Sequence, residues 1–148
     1  MAPSGSDAQP IAVDQGRLID ALVQTSFVTM AALNRIGAEH DLSLTQLRVL
    51  GILRDRRLKM GELAGHLGLD RSTMSGLVDR AERRGLLQRT LNPVDGRAVD
   101  VLLGTAGSEL TEQLQGELAR SLSPVTGVLT PADRRRLTTL LEQMLAHR

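Results

Sequence analysis

Apolar residues recur at helical spacing over most of this chain and give way to strand-like runs only around one turn-rich segment. Leu18, Leu22, Phe27, Val28, Ala31 and Ile36 predict a long helix that Asp14 can cap and that runs to about Glu39. Much of it is apolar on more than one side, the pattern of a helix buried between neighbours. Ser43-Leu44-Thr45-Gln46 has capping-box spacing and predicts a helix of about ten residues through Leu47, Leu50, Gly51 and Leu53. From Met60, Leu63, Ala64 and Leu67 share one face of a short helix that ends at Gly68, where a left-handed residue costs least. Asp70 then caps a helix whose Met74, Leu77, Val78 and Ala81 fall at i, i+3, i+4 and i+7 and so face inward. Its outward face carries Ser72, Thr73, Ser75, Gly76, Asp79, Arg80 and Arg83. Gly85 stops it; Leu86 to Thr90 and Ala98 to Leu103 read as strands around a tip from Asn92 to Arg97. A second long helix follows from Thr105 to about Val128, with Leu110, Leu114, Leu118 and Leu122 spaced by four. Thr130-Pro131-Ala132-Asp133 opens the last helix, whose stripe is Leu137, Leu140, Leu141, Met144 and Leu145.

A short helix, a glycine turn, a second helix with a polar outer face and a hairpin form, in that order, a helix-turn-helix followed by a wing. The predicted fold is therefore mainly α with a small two- or three-stranded β wing. A helix entering a major groove needs short polar residues near its N-terminus and longer donors farther along. Arg71, Ser72, Thr73, Ser75 and Arg80 meet that need, Gly76 allows close backbone approach, and Arg83 and Arg89 extend the basic surface. Arg80 suits a guanine or a phosphate equally. At the wing tip, Asp95 can hold Arg97 and point it into a minor groove, or the two form an ordinary surface salt bridge.

Composition narrows the function. A chain of 148 residues fits one domain with a real core, read as residues 13–148 after a disordered polar tail at 1–12, with a winged lobe at about 42–104. The start of the chain has neither the basic nor the apolar stretch of a signal peptide, no run is long and apolar enough to span a membrane, and the protein is placed in the cytoplasm. The absence of cysteine removes disulfides and thiolate chemistry. Net charge is only +1, so distribution decides: six arginines oppose three carboxylates over residues 71–97, and Arg54, Arg56, Arg57 and Lys59 outweigh Asp55. A single Phe and no Trp or Tyr argue against single-strand or RNA binding, which uses exposed aromatic rings. His40, His66 and His147 are scattered, with no metal-ligand spacing, nucleophile elbow or paired acids, so no catalytic, metal or cofactor site is read. Duplex DNA is the partner; protein contact or sequence-indifferent DNA packaging by the same winged helix is the alternative.

The segments LSLTQLRVL, GELAGHLGLDRSTMSGLVDRAERRGLLQR, NPVDGR and LLGTAG, in this order and spacing, resemble the MarR family of winged-helix transcriptional regulators over roughly residues 14–147. The resemblance implies a homodimer interlocked through residues 13–40 and 105–147, with Leu18, Leu22, Leu118, Leu122, Leu137, Leu141 and Met144 in its interface. It also implies two lobes reading a pseudo-palindromic operator through Arg71, Ser72, Thr73, Ser75, Gly76, Arg80, Arg83, Arg89, Asp95 and Arg97. A small anionic or aromatic effector would release the DNA from a cleft between dimer helices and lobe, with Phe27, Met30 and Arg35 as candidate contacts. The chain departs from the family pattern at Lys59, where a capping Thr or Ser is usual, and at Gly76, where many members carry a larger polar side chain. It departs again at Gly96, which replaces the first of two wing arginines, and at Gly104, which replaces a Thr.

Overall fold

The computed structural model describes residues 8–147 as six helices and one small sheet among those residues. In chain order they are α1 (Ala8–Glu39), α2 (Leu44–Leu53), β1 (Leu58–Lys59), α3 (Met60–Leu67), α4 (Arg71–Arg83), β2 (Leu87–Leu91), β3 (Val99–Leu103), α5 (Thr105–Thr126) and α6 (Pro131–Ala146). The sheet is antiparallel in the order β1-β3-β2, with Leu58 opposite Val101 on one side and Arg89 opposite Val101 on the other. β1 is only two residues long, too short to leave an alternation in the sequence.

Local chemistry accounts for most boundaries. Ser43 accepts from the Gln46 backbone N–H while the Gln46 side chain accepts from Ser43 N–H, closing the capping box. Gly68 ends α3 at φ 65°, a conformation that costs glycine least. Thr130 caps α6 with Pro131 directly after it. Pro124 lies inside α5 and has no N–H for the Arg120 carbonyl; the Ser123 hydroxyl donates to that carbonyl instead, at 3.0 Å.

One boundary differs from the pattern. α1 starts at Ala8, so Asp14 lies inside the helix and does not cap it, and residues 8–12 of the expected tail are helical; residues 1–7 lie outside the described residues. An N-cap has non-helical backbone, and at Asp14 the backbone is already helical.

The core belongs to the winged lobe. Leu42, Val49, Leu50, Leu53, Leu63, Met74, Val78, Leu87 and Val101 form one buried cluster, against which Leu110 and Leu114 of α5 pack. α1 contributes buried Ala32 and Ile36 near its C-terminal end, whereas Leu18, Phe27 and Val28 are exposed in the single chain, as are Leu137, Leu141 and Met144. No residue of α6 is buried.

Two glycines let α5 start against the Gly85-Leu86 segment that leads into β2. A Cβ on Gly104 would overlap the Gly85 carbonyl oxygen, and one on Gly107 the Leu86 carbonyl oxygen. The Gly104 amide donates to that Leu86 carbonyl at 2.9 Å, which pins the helix where it enters the lobe. Gly104 therefore stands at the start of α5 because the approach of two backbones leaves no room for a capping side chain. Gly107→Ala, which in an open helix would stabilise by about 1 kcal/mol, is expected to destabilise by about 1–3 kcal/mol through overpacking. Differential scanning calorimetry would read this as a fall in Tm of several degrees, with helicity retained.

Candidate nucleic-acid interface

α4 is set by its two faces. Met74, Leu77, Val78 and Ala81 are buried, which turns Arg71, Ser72, Thr73 and Arg80 outward. At its start, Asp70 Oδ1 accepts from Thr73 N–H at 2.7 Å, and Thr73 Oγ1 donates to Asp70 Oδ2 at 3.0 Å. With its hydrogen committed to Asp70, the Thr73 hydroxyl presents only an acceptor, which suits the amino groups of adenine or cytosine. These bonds, the Thr73 backbone first, hold the Asp70 carboxyl below its ordinary pKa.

Between α4 and the wing runs an open groove of about 700 Å³, bordered by Lys59, Gly61, Arg71, Ser75, Arg89, Asp95 and Arg97. The cations on and beside it are unequal. Arg71 lies over Gly61, where a Cβ would stand 3.3 Å from its guanidinium. Arg80 lies back along α4 over Gly76, where a Cβ would stand 3.4 Å from Nη1, so Gly76 leaves room for an arginine rather than only for a backbone approach. Arg83 is exposed, its Nε donating to the Asp79 carbonyl at 3.3 Å, and Ser72 is exposed near the helix start.

Arg89 departs from its expected role. Its guanidinium donates to the Asp79 carboxylate and, at 3.3 Å, to the Ser75 carbonyl, with Glu82 at 3.4 Å. It braces β2 against α4 and neutralises the acids of the reading face, because strand pairing brings it under the helix instead of out to solvent. The Asp95 and Arg97 side chains are not paired either. Asp95 Oδ1 accepts the backbone N–H of Arg97 at 3.2 Å, and Oδ2 lies 4.0 Å from Lys59 Nζ. Among the described residues no carboxylate lies within salt-bridge distance of the Arg97 guanidinium, which is exposed at the wing tip.

Four participants were not among the expected site residues: Arg57 and Lys59, read as a local excess of charge, Asn92, read as the edge of the wing tip, and Asp100. Asp100 is 2% exposed and accepts from Arg57 Nε at 2.7 Å and from Asn92 Nδ2 at 2.9 Å. The Asn92 amide first, then the Arg57 guanidinium, hold its carboxyl below the ordinary value against the opposing effect of burial. The available signal was an acid inside the apolar run Val99 to Leu103.

Away from the groove, a cleft of about 240 Å³ opens between Leu33 and Ile36 of α1, Leu47, Leu50 and Gly51 of α2 with Arg54 directly after it, and Thr111, Leu114 and Leu118 of α5. It is apolar apart from Arg54 and the polar edge of α5. Phe27 and Met30 line no part of it; on the outward side of α1, Phe27 is 67% exposed, because the helix turns that face away from the lobe. Arg35 borders a separate polar depression with Glu39, Glu117, Arg120 and Ser121, donating to Ser121 Oγ at 2.5 Å. The three residues proposed for an effector are thus not brought together. The histidines are not grouped either: His40 bonds Glu117 through Nε2 at 3.0 Å, and His147 meets the Gln143 carbonyl at 2.8 Å.

Residues 40–98 match the MarR family. The homoprotocatechuate degradative operon repressor of Escherichia coli is 28% identical over 128 residues, covering 85% of this chain and 86% of that protein. The chain belongs to the MarR family. Among solved structures, wild-type MarR from E. coli in its apo form superposes with a TM-score of 0.66 at 29% identity, covering 88% of this chain and 95% of MarR. A mutant E. coli MarR complexed with operator DNA gives a TM-score of 0.62 at 28% identity, covering 95% of this chain and 99% of that one. Among the described residues of this MarR family chain, no helix is long and apolar enough to cross a membrane.

Three carboxylates, two in the lobe and one on α5, have a common pH signature. Asp70, Asp100 and Glu117, the last bonded first by His40 and then by Gln113, all have lowered pKa values and bind protons less readily folded than unfolded. Their stabilisation is complete above the ordinary carboxylate range, 3.8 for the aspartates and 4.5 for the glutamate, and is lost as pH falls through the lower folded values. Thermal melts are expected to show Tm falling below pH 4, and Asp70→Ala is expected to flatten part of that fall.

Proposed function

We propose that the chain is a sequence-specific transcriptional regulator of the cytoplasm that binds duplex DNA as a homodimer, represses by occupying its operator, and carries no catalytic activity. The observation that carries this reading is the groove between α4 and the wing, with Arg71 and Ser75 on one side and the unpaired Arg97 on the other, beside the exposed Ser72, Thr73 and Arg80 of the same helix. A major groove takes the helix while the adjacent minor groove or phosphates take the wing. Exposed Leu18, Leu137, Leu141 and Met144 on α1 and α6 supply a surface for a second copy, joined by half-buried Leu22, Leu118 and Leu122. Pairing two lobes would place two reading helices about 34 Å apart, one turn of DNA. Residues 13–40 and 105–147 would then be the dimerisation region and residues 42–104 the reading lobe.

A labelled duplex from upstream of the chain's own coding sequence tests this by fluorescence anisotropy against random duplexes. Tighter binding to the cognate fragment is expected, with light scattering giving a dimer mass; equal affinity for all duplexes would make the protein a DNA-packaging factor instead. Arg97→Ala is expected to weaken cognate binding severalfold or more without altering the dimer. Arg80→Ala is also expected to weaken it. A loss from Arg80→Ala confined to the cognate fragment would indicate base reading, and a uniform loss phosphate contact.

The effector reading rests on the α1/α2/α5 cleft. Apolar walls with one guanidinium at the rim suit a small carboxylate with an apolar or aromatic body, and the E. coli relative is named for an operon that degrades such a compound. A ligand there acts only if it binds the DNA-fitting and non-fitting lobe spacings unequally. Small aromatic carboxylates are expected to release the duplex in the same anisotropy assay, and Arg54→Gln to abolish release while DNA affinity stays within about twofold.

A further inference from the structure

The wing tip is held from below by a chain of polar contacts that starts in the sheet. Asp100 on β3 is nearly wholly buried, yet carries a charge in the middle of an apolar strand. One carboxylate oxygen takes Arg57 Nε at 2.7 Å, and Arg57 reaches on to the Leu91 carbonyl at 3.4 Å. The other takes the Asn92 side-chain amide at 2.9 Å. Asn92 turns its own side-chain oxygen outward, where it accepts the backbone N–H groups of Val94 at 3.0 Å and Asp95 at 2.8 Å. Asp95 in turn accepts the N–H of Arg97 at 3.2 Å. Three successive side chains thus fix the backbone that carries the exposed wing cation. A buried charge serves stability poorly compared with an apolar residue of similar size, so its presence in a strand that could be wholly apolar calls for a reason other than stability.

We infer that Asp100 and Asn92 are positioning residues for DNA binding: the buried carboxylate orients the Asn92 amide, which presets the wing turn so that Arg97 meets DNA without first ordering the loop. This rests on the reading of the groove as a DNA interface. A turn that is already ordered avoids the entropy of fixing it on binding. Hydrogen-bond roles make the inference testable by exchange. Asn92→Asp keeps an acceptor for the Val94 and Asp95 amides but removes the donor to Asp100 and sets two carboxylates together. Adding Asp100→Asn restores the pair in reversed order, the new amide at position 100 donating to the new carboxylate at position 92 while its oxygen still accepts from Arg57.

Duplex binding by the wild type, Arg97→Ala, Asn92→Asp, Asp100→Asn and the double exchange is the experiment, together with amide hydrogen exchange at Val94 and Asp95 in the free protein. Asn92→Asp is expected to weaken binding roughly tenfold, about the effect of losing one guanidinium contact, and to speed exchange at both amides. The double exchange is expected to restore both to within about twofold of wild type, and Arg97→Ala added to Asn92→Asp to cost little more than either alone. Wild-type affinity in a folded Asn92→Asp variant, or a double exchange that recovers Tm but not DNA binding, would overturn the inference. Should Asn92→Asp prove unfolded, Asn92→Ala at the same half-buried position serves instead, with full affinity as the refuting result. No binding by the wild type would instead remove the DNA reading itself, whatever the amide exchange shows.

Discussion

Complete burial of Met74 and Val78 fixes the rotation of α4 about its own axis, and the rest of the interface depends on that single constraint. A helix turned by one residue, about 100°, would bury Ser75 and Asp79 and expose the core. With the inward stripe locked against Leu63, Val49 and Val101, the outward residues are determined without further choice. The Asp70 cap then fixes where the helix starts, so that Ser72 and Thr73 stand at its open end. The Asp70 carboxylate occupies the partly positive end of the helix dipole, so Arg71 supplies the positive charge there.

Charge in this chain is divided between bracing and binding. Arg57, Arg84 and Arg89 donate to groups of the protein itself, each joining elements distant in sequence. Arg71 and Arg97 border the groove, and Arg80 is exposed on the outward face of α4. A net charge of +1 therefore understates the surface offered to DNA, because six arginines oppose three carboxylates over residues 71–97 while acids outnumber cations in the rest of the chain. The bracing arginines make the wing and reading helix one rigid body, which lowers the ordering cost of binding. That economy is also why Arg89, although counted among the basic residues of the region, has little left to offer a phosphate.

Helices and caps were legible in the residues because each follows from local rules: the capping box at Ser43, the left-handed stop at Gly68 and the Asp70 cap all depend on neighbours within four positions. The inward face of α4 was legible for the same reason. What could not be read depends on partners far along the chain. β1 exists only because β3 lies beside it, and Arg57 finds Asp100 across 43 positions. Phe27 and Met30 looked like pocket residues on an apolar helix, but whether an apolar face lines a cleft or looks outward is decided by where α2 and α5 pack. The opposite side of α1 received those helices, so the cleft is lined by Leu33 and Ile36.

The same geometry explains how the lobe is tied to the long helices. Arg84, directly after α4, donates to the carbonyls of His40 and Asp41 at 3.2 and 3.1 Å, the free carbonyl groups where α1 ends. A guanidinium at a helix C-terminus is favoured by the local dipole, and Asp41 is held there at φ 57°, so the junction is a specific shape rather than a loose linker. His40 carries the connection onward to Glu117 of α5. The end of the reading helix is thus bolted to α1 and, through it, to α5, the two helices that wall the apolar cleft. A change in the separation of α1 and α5 must either break these bonds or carry α4 with it. Buried packing of Met74 and Val78 favours the second, because breaking it would open the core of the lobe.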